Sequence, residues 1–105
     1  MTRPIAFRMM LKPGMAEEYR RRHDAIWPDL AEALRNAGIY DYSIFLDEET
    51  NALFAVLRLR PDDKREDLPG QPVMQRWWDY MADLMEVQPG NRPVEAPLTP
   101  MFHFA

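Results

Sequence analysis

Acid–base chemistry is easiest to build around His23, one of only two histidines in this 105-residue chain. It closes a helical stretch just before Trp27 and Pro28 break it. An imidazole titrates near neutrality, so it can give or take a proton at physiological pH. Tyr19 lies four residues earlier, so a helix would put phenol and imidazole on one face. Far downstream, Trp77 and Trp78 stand side by side. Adjacent helical residues point about 100° apart, so both rings cannot face the same core centre; either one is core while the other lines an edge or pocket, or both simply pack. Aromatic faces suit the apolar C–H surface of a sugar, and polar groups around the rim read its hydroxyls. Tyr42, on a later strand, offers a further phenol. Each residue also has a structural reading. His23 can be a surface helix residue among arginines, Tyr19 and Trp27 can be core aromatics, and strand tyrosines such as Tyr42 are commonly structural. His103, between two phenylalanines, reads as structural.

The elements that must position these groups follow from periodicity. Ile5, Phe7, Met9 and Leu11 alternate as in a strand, which Lys12, Pro13 and Gly14 end with turn chemistry. Met15 to Asn36 favours helix, but Pro28 cannot sit inside one. Two pieces result, about 15–24 and 28–36, with Pro28 in the first turn of the second and Gly38 as a left-handed stop. Residues 39–46 form a second strand, with Tyr40, Tyr42, Ile44 and Leu46 on one face. A polar turn over 47–51 leads to a third strand, 52–59, making an antiparallel hairpin. Residues 61–70 form a charged loop. Pro72 opens a helix to about Met85, whose Val73, Trp77, Tyr80, Met81 and Leu84 follow helical spacing. Residues 88–100 are rich in proline and read as an irregular connection. Met101 to Phe104 reads as a short last strand. The order β-α-β-β-α-β is the ferredoxin-like α+β arrangement, an antiparallel sheet with its helices on one side. The other face of such a sheet is normally polar. Here it carries apolar residues too, which a second copy of the chain would cover, so a homodimer of the α/β-barrel type is expected.

What the chain lacks narrows the chemistry. Its length fits one domain. A net charge of −4 in mixed signs argues against a nucleic-acid partner. The absence of cysteine excludes disulfides, thiolate metal sites and a thiol nucleophile. The carboxylates are scattered and the two histidines far apart, so no metal is expected. No glycine-rich phosphate loop and no nucleophile elbow around Ser43, the only serine, is present. Residues 1–8 contain no apolar run of signal-peptide length, and no stretch reaches the ~20 apolar residues of a membrane helix. A cytoplasmic protein without cofactor or membrane partner, working by proton transfer, is the expectation.

The run from Glu18 to Leu30, with His23 followed by Ile26, Trp27 and Pro28, closely resembles the L-rhamnose mutarotase family. So do the strand from Tyr42 to Asp47, the cluster from Arg76 to Met81 and the ending Met101 to Phe104. The resemblance covers nearly the whole chain at matching spacing. It implies a dimer of ferredoxin-like subunits that interconverts the α and β anomers of L-rhamnose without metal or coenzyme. It also implies that His23 is the proton donor, with Tyr19, Tyr42, Trp77 and Trp78 as sugar-binding residues. Two other readings keep the fold. A cofactor-free monooxygenase or haem-handling protein would need a large apolar cavity, and a sugar sensor would bind without turnover.

Overall fold

The computed structural model describes residues 3–105. Met1 and Thr2, the start of the N-terminal stretch read above for a leader, lie outside them. The chain runs β1 (Arg3–Met10), α1 (Ala16–Asp24), α2 (Pro28–Asn36), β2 (Ile39–Asp47), β3 (Ala52–Leu59), α3 (Pro72–Met81) and β4 (Glu95–Pro97). The four strands form one antiparallel sheet in the order β2-β3-β1-β4. With the helices packed on one face, this is the ferredoxin-like arrangement expected from the element order. Among the described residues no helix is long and apolar enough to cross a membrane.

The core forms where the alternating apolar positions of β1 and β3 meet the helices. Phe7, Met9 and Leu11 join Leu53, Ala55, Leu57 and Leu59 in one buried cluster with Leu30, Trp77 and Met81. Ala55 is wholly buried at the centre of β3, where a small side chain leaves room for the helices to lie close. Pro28 takes the first position of α2 after an extended Trp27 (φ −64°, ψ 133°), so the helical stretch does divide where proline requires. Gly38 ends α2 with φ +87°, and a Cβ there would lie 3.0 Å from Asp63 Cα. Glycine is thus required both by handedness and by the close approach of the following loop. That loop supplies the amide of Lys64 to the Ala37 carbonyl at 2.8 Å, satisfying a helix-end acceptor.

Four sequence expectations need correction. The last strand is Glu95–Pro97, inside the segment read as irregular, while 101–105 form no strand. Two prolines disguise it, yet β4 pairs only with β1 and is an edge strand, where a missing N–H is tolerated. Met101, Phe102 and Phe104 are almost fully exposed. The downstream helix stops at Met81 and tightens into a 3-10 turn, Ala82–Leu84, so its apolar residues span two elements. The charged loop contains a 3-10 turn, Arg65–Gly70, anchored by buried Leu68. Finally, Tyr40 does not share a face with Tyr42. Tyr40 pairs with Arg58 and Ser43 with Val56, so two residues of β2, Asp41 and Tyr42, face one of β3. This is a β-bulge, with Asp41 in the left-handed region at φ 49°.

Candidate active site

His23 sits in the last turn of α1, and its position follows from the helix itself. The i, i+4 spacing stacks its ring on Tyr19, with centroids 4.3 Å apart and planes 25° apart. Trp77 from α3 meets the imidazole in a T-shaped contact, with centroids 5.3 Å apart and planes 87° apart. Nδ1 lies 3.1 Å from the Tyr19 carbonyl oxygen. A carbonyl can only accept, so Nδ1 carries a hydrogen and donates it. In the neutral ring the lone pair is therefore on Nε2. Burial holds the imidazole below its ordinary pKa, against the Tyr19 carbonyl and the Asp24 carboxylate, which both raise it. At neutral pH His23 is a tethered neutral base.

The phenols differ from the imidazole in keeping their protons. Tyr19 is buried, and its phenol is raised, first by burial and then by nearby Tyr42. Tyr42 is pushed up to about 12, first by burial, then by the Glu95 carboxylate, with Arg65 opposing. Although 38% of Tyr42 is exposed, it lines the cleft with Glu95 and Arg65. Its presence there depends on the bulge. Ile39 and Ile44 both face the helices, opposite Leu59 and Ala55, although five residues apart. A regular strand would turn one of them away. The extra residue resets the alternation and lets Tyr42, Ile44 and Leu46 all line the helix side.

These groups converge on a cleft of about 1410 Å³, above the ~300–1000 Å³ of ordinary small-molecule sites and open on one side. A second, smaller recess of about 70 Å³ shares much of that lining, and Tyr19, His23, Tyr42, Trp77 and Trp78 line both. The structure thus gathers all five residues singled out from sequence. The tryptophans divide as the helix geometry predicts. Trp77 is buried and meets Trp27 edge-on at 5.1 Å. Trp78 is half-buried, and the Arg92 guanidinium lies 5.5 Å from its ring.

Sequence reading missed the charged rim. Glu95 and Arg65 line the cleft beside Tyr42. Glu95 pairs with Met9 on the helix side of the sheet, and its carboxylate is 3.5 Å from Arg92. Locating β4 was a precondition for seeing Glu95, and its prolines hid that strand. His103 lies in the exposed tail, away from these groups and with no core contact, so the structural role read for it has no support in the fold.

Fold and cleft together define a ferredoxin-like α+β domain with an aromatic-walled cleft centred on a neutral imidazole. Comparison with known proteins makes the assignment specific. The family model for L-rhamnose mutarotase matches residues 4–104. An L-rhamnose mutarotase of Burkholderia orbicola is 64% identical over 99 residues, covering 94% of this chain and 95% of its own. One from Mesorhizobium japonicum is 58% identical over 105 residues, all of both chains. The crystal structure of L-rhamnose mutarotase from Formosa agariphila superposes with a TM-score of 0.91 at 42% identity, over 98% of this chain and 99% of that one. The chain belongs to the L-rhamnose mutarotase family.

Proposed function

We propose that the protein interconverts the α and β anomers of L-rhamnose, with His23 carrying the proton. The observation that supports this most is the Nδ1 bond to the Tyr19 carbonyl, which leaves Nε2 free as a base beside two protonated phenols. Nε2 takes the proton of the anomeric hydroxyl as C1–O1 becomes a carbonyl and the C1–O5 bond breaks. The imidazolium so formed is the proton donor, and it protonates the ring oxygen, so the proton count closes on one residue. After the aldehyde turns, the same steps in reverse close the ring on its other face. Acid–base help of this kind contributes about 10²–10⁴-fold.

Tyr19 and Tyr42 keep their protons and so can donate hydrogen bonds to sugar oxygens. Trp78, with its open ring, is the candidate platform for the sugar, while Trp77 packs against the imidazole. L-rhamnose carries a methyl group at C5, which suits an aromatic wall. One such group is worth only ~1–3 kcal/mol in selectivity. The reaction as drawn needs no metal and no coenzyme. A homodimer fits the apolar residues on the open sheet face and in the tail, and sedimentation should report about twice the chain mass. A cytoplasmic location goes with this reading and is open to cell fractionation. The activity is tested by saturation-transfer NMR on L-rhamnose. Irradiating one anomer should attenuate the other only when protein is present. Binding without transfer would instead support a sugar sensor.

A further inference from the structure

Arg22 precedes His23 in the chain but points to a different part of the molecule. Its side chain is only 12% exposed. Nε donates to Glu18 Oε2 at 2.7 Å. Nη1 and Nη2 donate to the two carboxylate oxygens of Asp83 at 2.8 and 3.2 Å, a forked pair. Nη1 also donates to the Tyr80 carbonyl at 2.6 Å. That carbonyl belongs to the last turn of α3, where acceptors have no partner within the helix. A cation there also meets the negative end of the helix dipole. The guanidinium carbon lies 4.5 Å from the centroid of the Tyr80 ring, within cation–π range.

One side chain therefore joins the turn that carries Tyr19 and His23 to the turn that carries Trp77 and Tyr80. Those turns supply two rings that contact the imidazole, Tyr19 by stacking and Trp77 by a T-shaped contact. The rest of the aromatic cluster continues the connection, since Tyr80 packs on Trp77 and Trp27. We propose that Arg22 is a positioning residue for the proton transfer. By fixing the last turn of α1 against the end of α3, it holds the His23 imidazole at the angle set by Tyr19 and Trp77. Lysine cannot replace it, because a single ammonium cannot serve a forked carboxylate, a helix-end carbonyl and an aromatic face from one plane. The inference rests on the proposed role of His23, but its effect on the imidazole is measurable without any sugar.

The experiment compares Arg22→Lys, Asp83→Asn and, as control, Arg76→Ala. Arg76 makes an exposed ion pair with Asp29 between α3 and α2, and neither residue lines the cleft or the recess that holds the imidazole. Two readouts are taken on folded protein well below its melting temperature. One is anomer exchange on L-rhamnose, split into kcat and KM. The other is the NMR titration of the His23 ring in sugar-free protein, in a His103→Gln background that leaves one histidine. The charged and titratable groups around that ring are Tyr19 and Asp24 on α1 and Tyr42 on β2, with Arg65 and Glu95 beside Tyr42. Arg22→Lys should lower kcat roughly 10- to 100-fold with little change in KM, as misplacement of a reacting group does. Its His23 midpoint should rise toward the ordinary value of ~6.5 as the ring gains water. Asp83→Asn, at an exposed position where folding is secure, should move both readouts the same way by less. Arg76→Ala should move neither. A folded Arg22→Lys or Asp83→Asn protein with wild-type kcat and a wild-type His23 midpoint would overturn the inference. If the wild type shows no anomer exchange, the proposed reaction fails, and the His23 titration still decides whether Arg22 positions the ring.

Discussion

The two faces of the sheet are built from the same strands and end in opposite states. On the helix side, Leu53, Ala55 and Leu57 of β3 are almost completely buried, and every candidate site residue faces that side. On the other side, Phe45 of β2 is 64% exposed and its cross-strand partner Phe54 lies beside exposed Val56. Apolar residues occur on both sides, so composition does not separate them. What separates them is cover. The helices finish one face and at the same time carry the imidazole and indoles into the cleft. Among the described residues nothing covers the open face, and the exposed Met101, Phe102 and Phe104 add to the unmet apolar surface. The proposed chemistry thus uses the face that a single chain completes, and the proposed homodimer would cover the other.

Substitutions on the two faces should therefore have different consequences. The largest effect is expected on the finished face, at its reacting group. His23→Ala should retain the fold, since the ring is only half-buried, while anomer exchange falls by about 10²–10⁴-fold. Next is the core beneath it. Leu57→Ala should cost ~2–5 kcal/mol by chemical denaturation, whereas Phe45→Ala on the open face should cost a dissociated chain under ~0.5 kcal/mol and instead weaken self-association in sedimentation. Equal stability losses at the two positions would erase the distinction between faces.

The tryptophans sharpen the comparison within the cleft. Trp77→Ala should cost stability, by ~3–5 kcal/mol, because its ring joins the core to the site. Trp78→Ala should leave stability nearly unchanged and raise KM for L-rhamnose. Equal effects of both substitutions on KM would argue against a single sugar-facing ring. The smallest effect is that of pH. The His23 pKa is depressed in the folded state by burial, so between its unfolded value of ~6.5 and its folded value the unfolded chain binds more protons. Stability should therefore fall as pH drops below ~6.5. His23→Gln should flatten that slope in denaturation measured from pH 7 down to pH 5.

Much of this was legible from residue order. The break at Pro28, the hairpin, and the split of Trp77 and Trp78 between core and edge each follow from local geometry, so sequence suffices. So did the convergence of Tyr19 and His23, which lie on one helix. Three features were not legible, for physical reasons. The bulge at Asp41 depends on which residues of β3 face β2, and alternation alone placed Tyr40 on the wrong side. β4 is held by its pairing with β1, and its prolines read as loop until that edge position is known. The Arg22 link to Asp83 spans 61 positions, and no local pattern announces it, whereas its bond to Glu18 has the readable i, i+4 spacing.

In the proposed reaction a neutral, tethered His23 moves the anomeric proton of L-rhamnose. Saturation-transfer NMR on equilibrated L-rhamnose, with wild-type and His23→Ala proteins at equal concentration, tests it most directly. Wild type should transfer saturation between the two anomeric resonances, and the folded variant should match the protein-free rate within a few per cent of wild-type turnover. Near-wild-type transfer by folded His23→Ala protein would contradict the account.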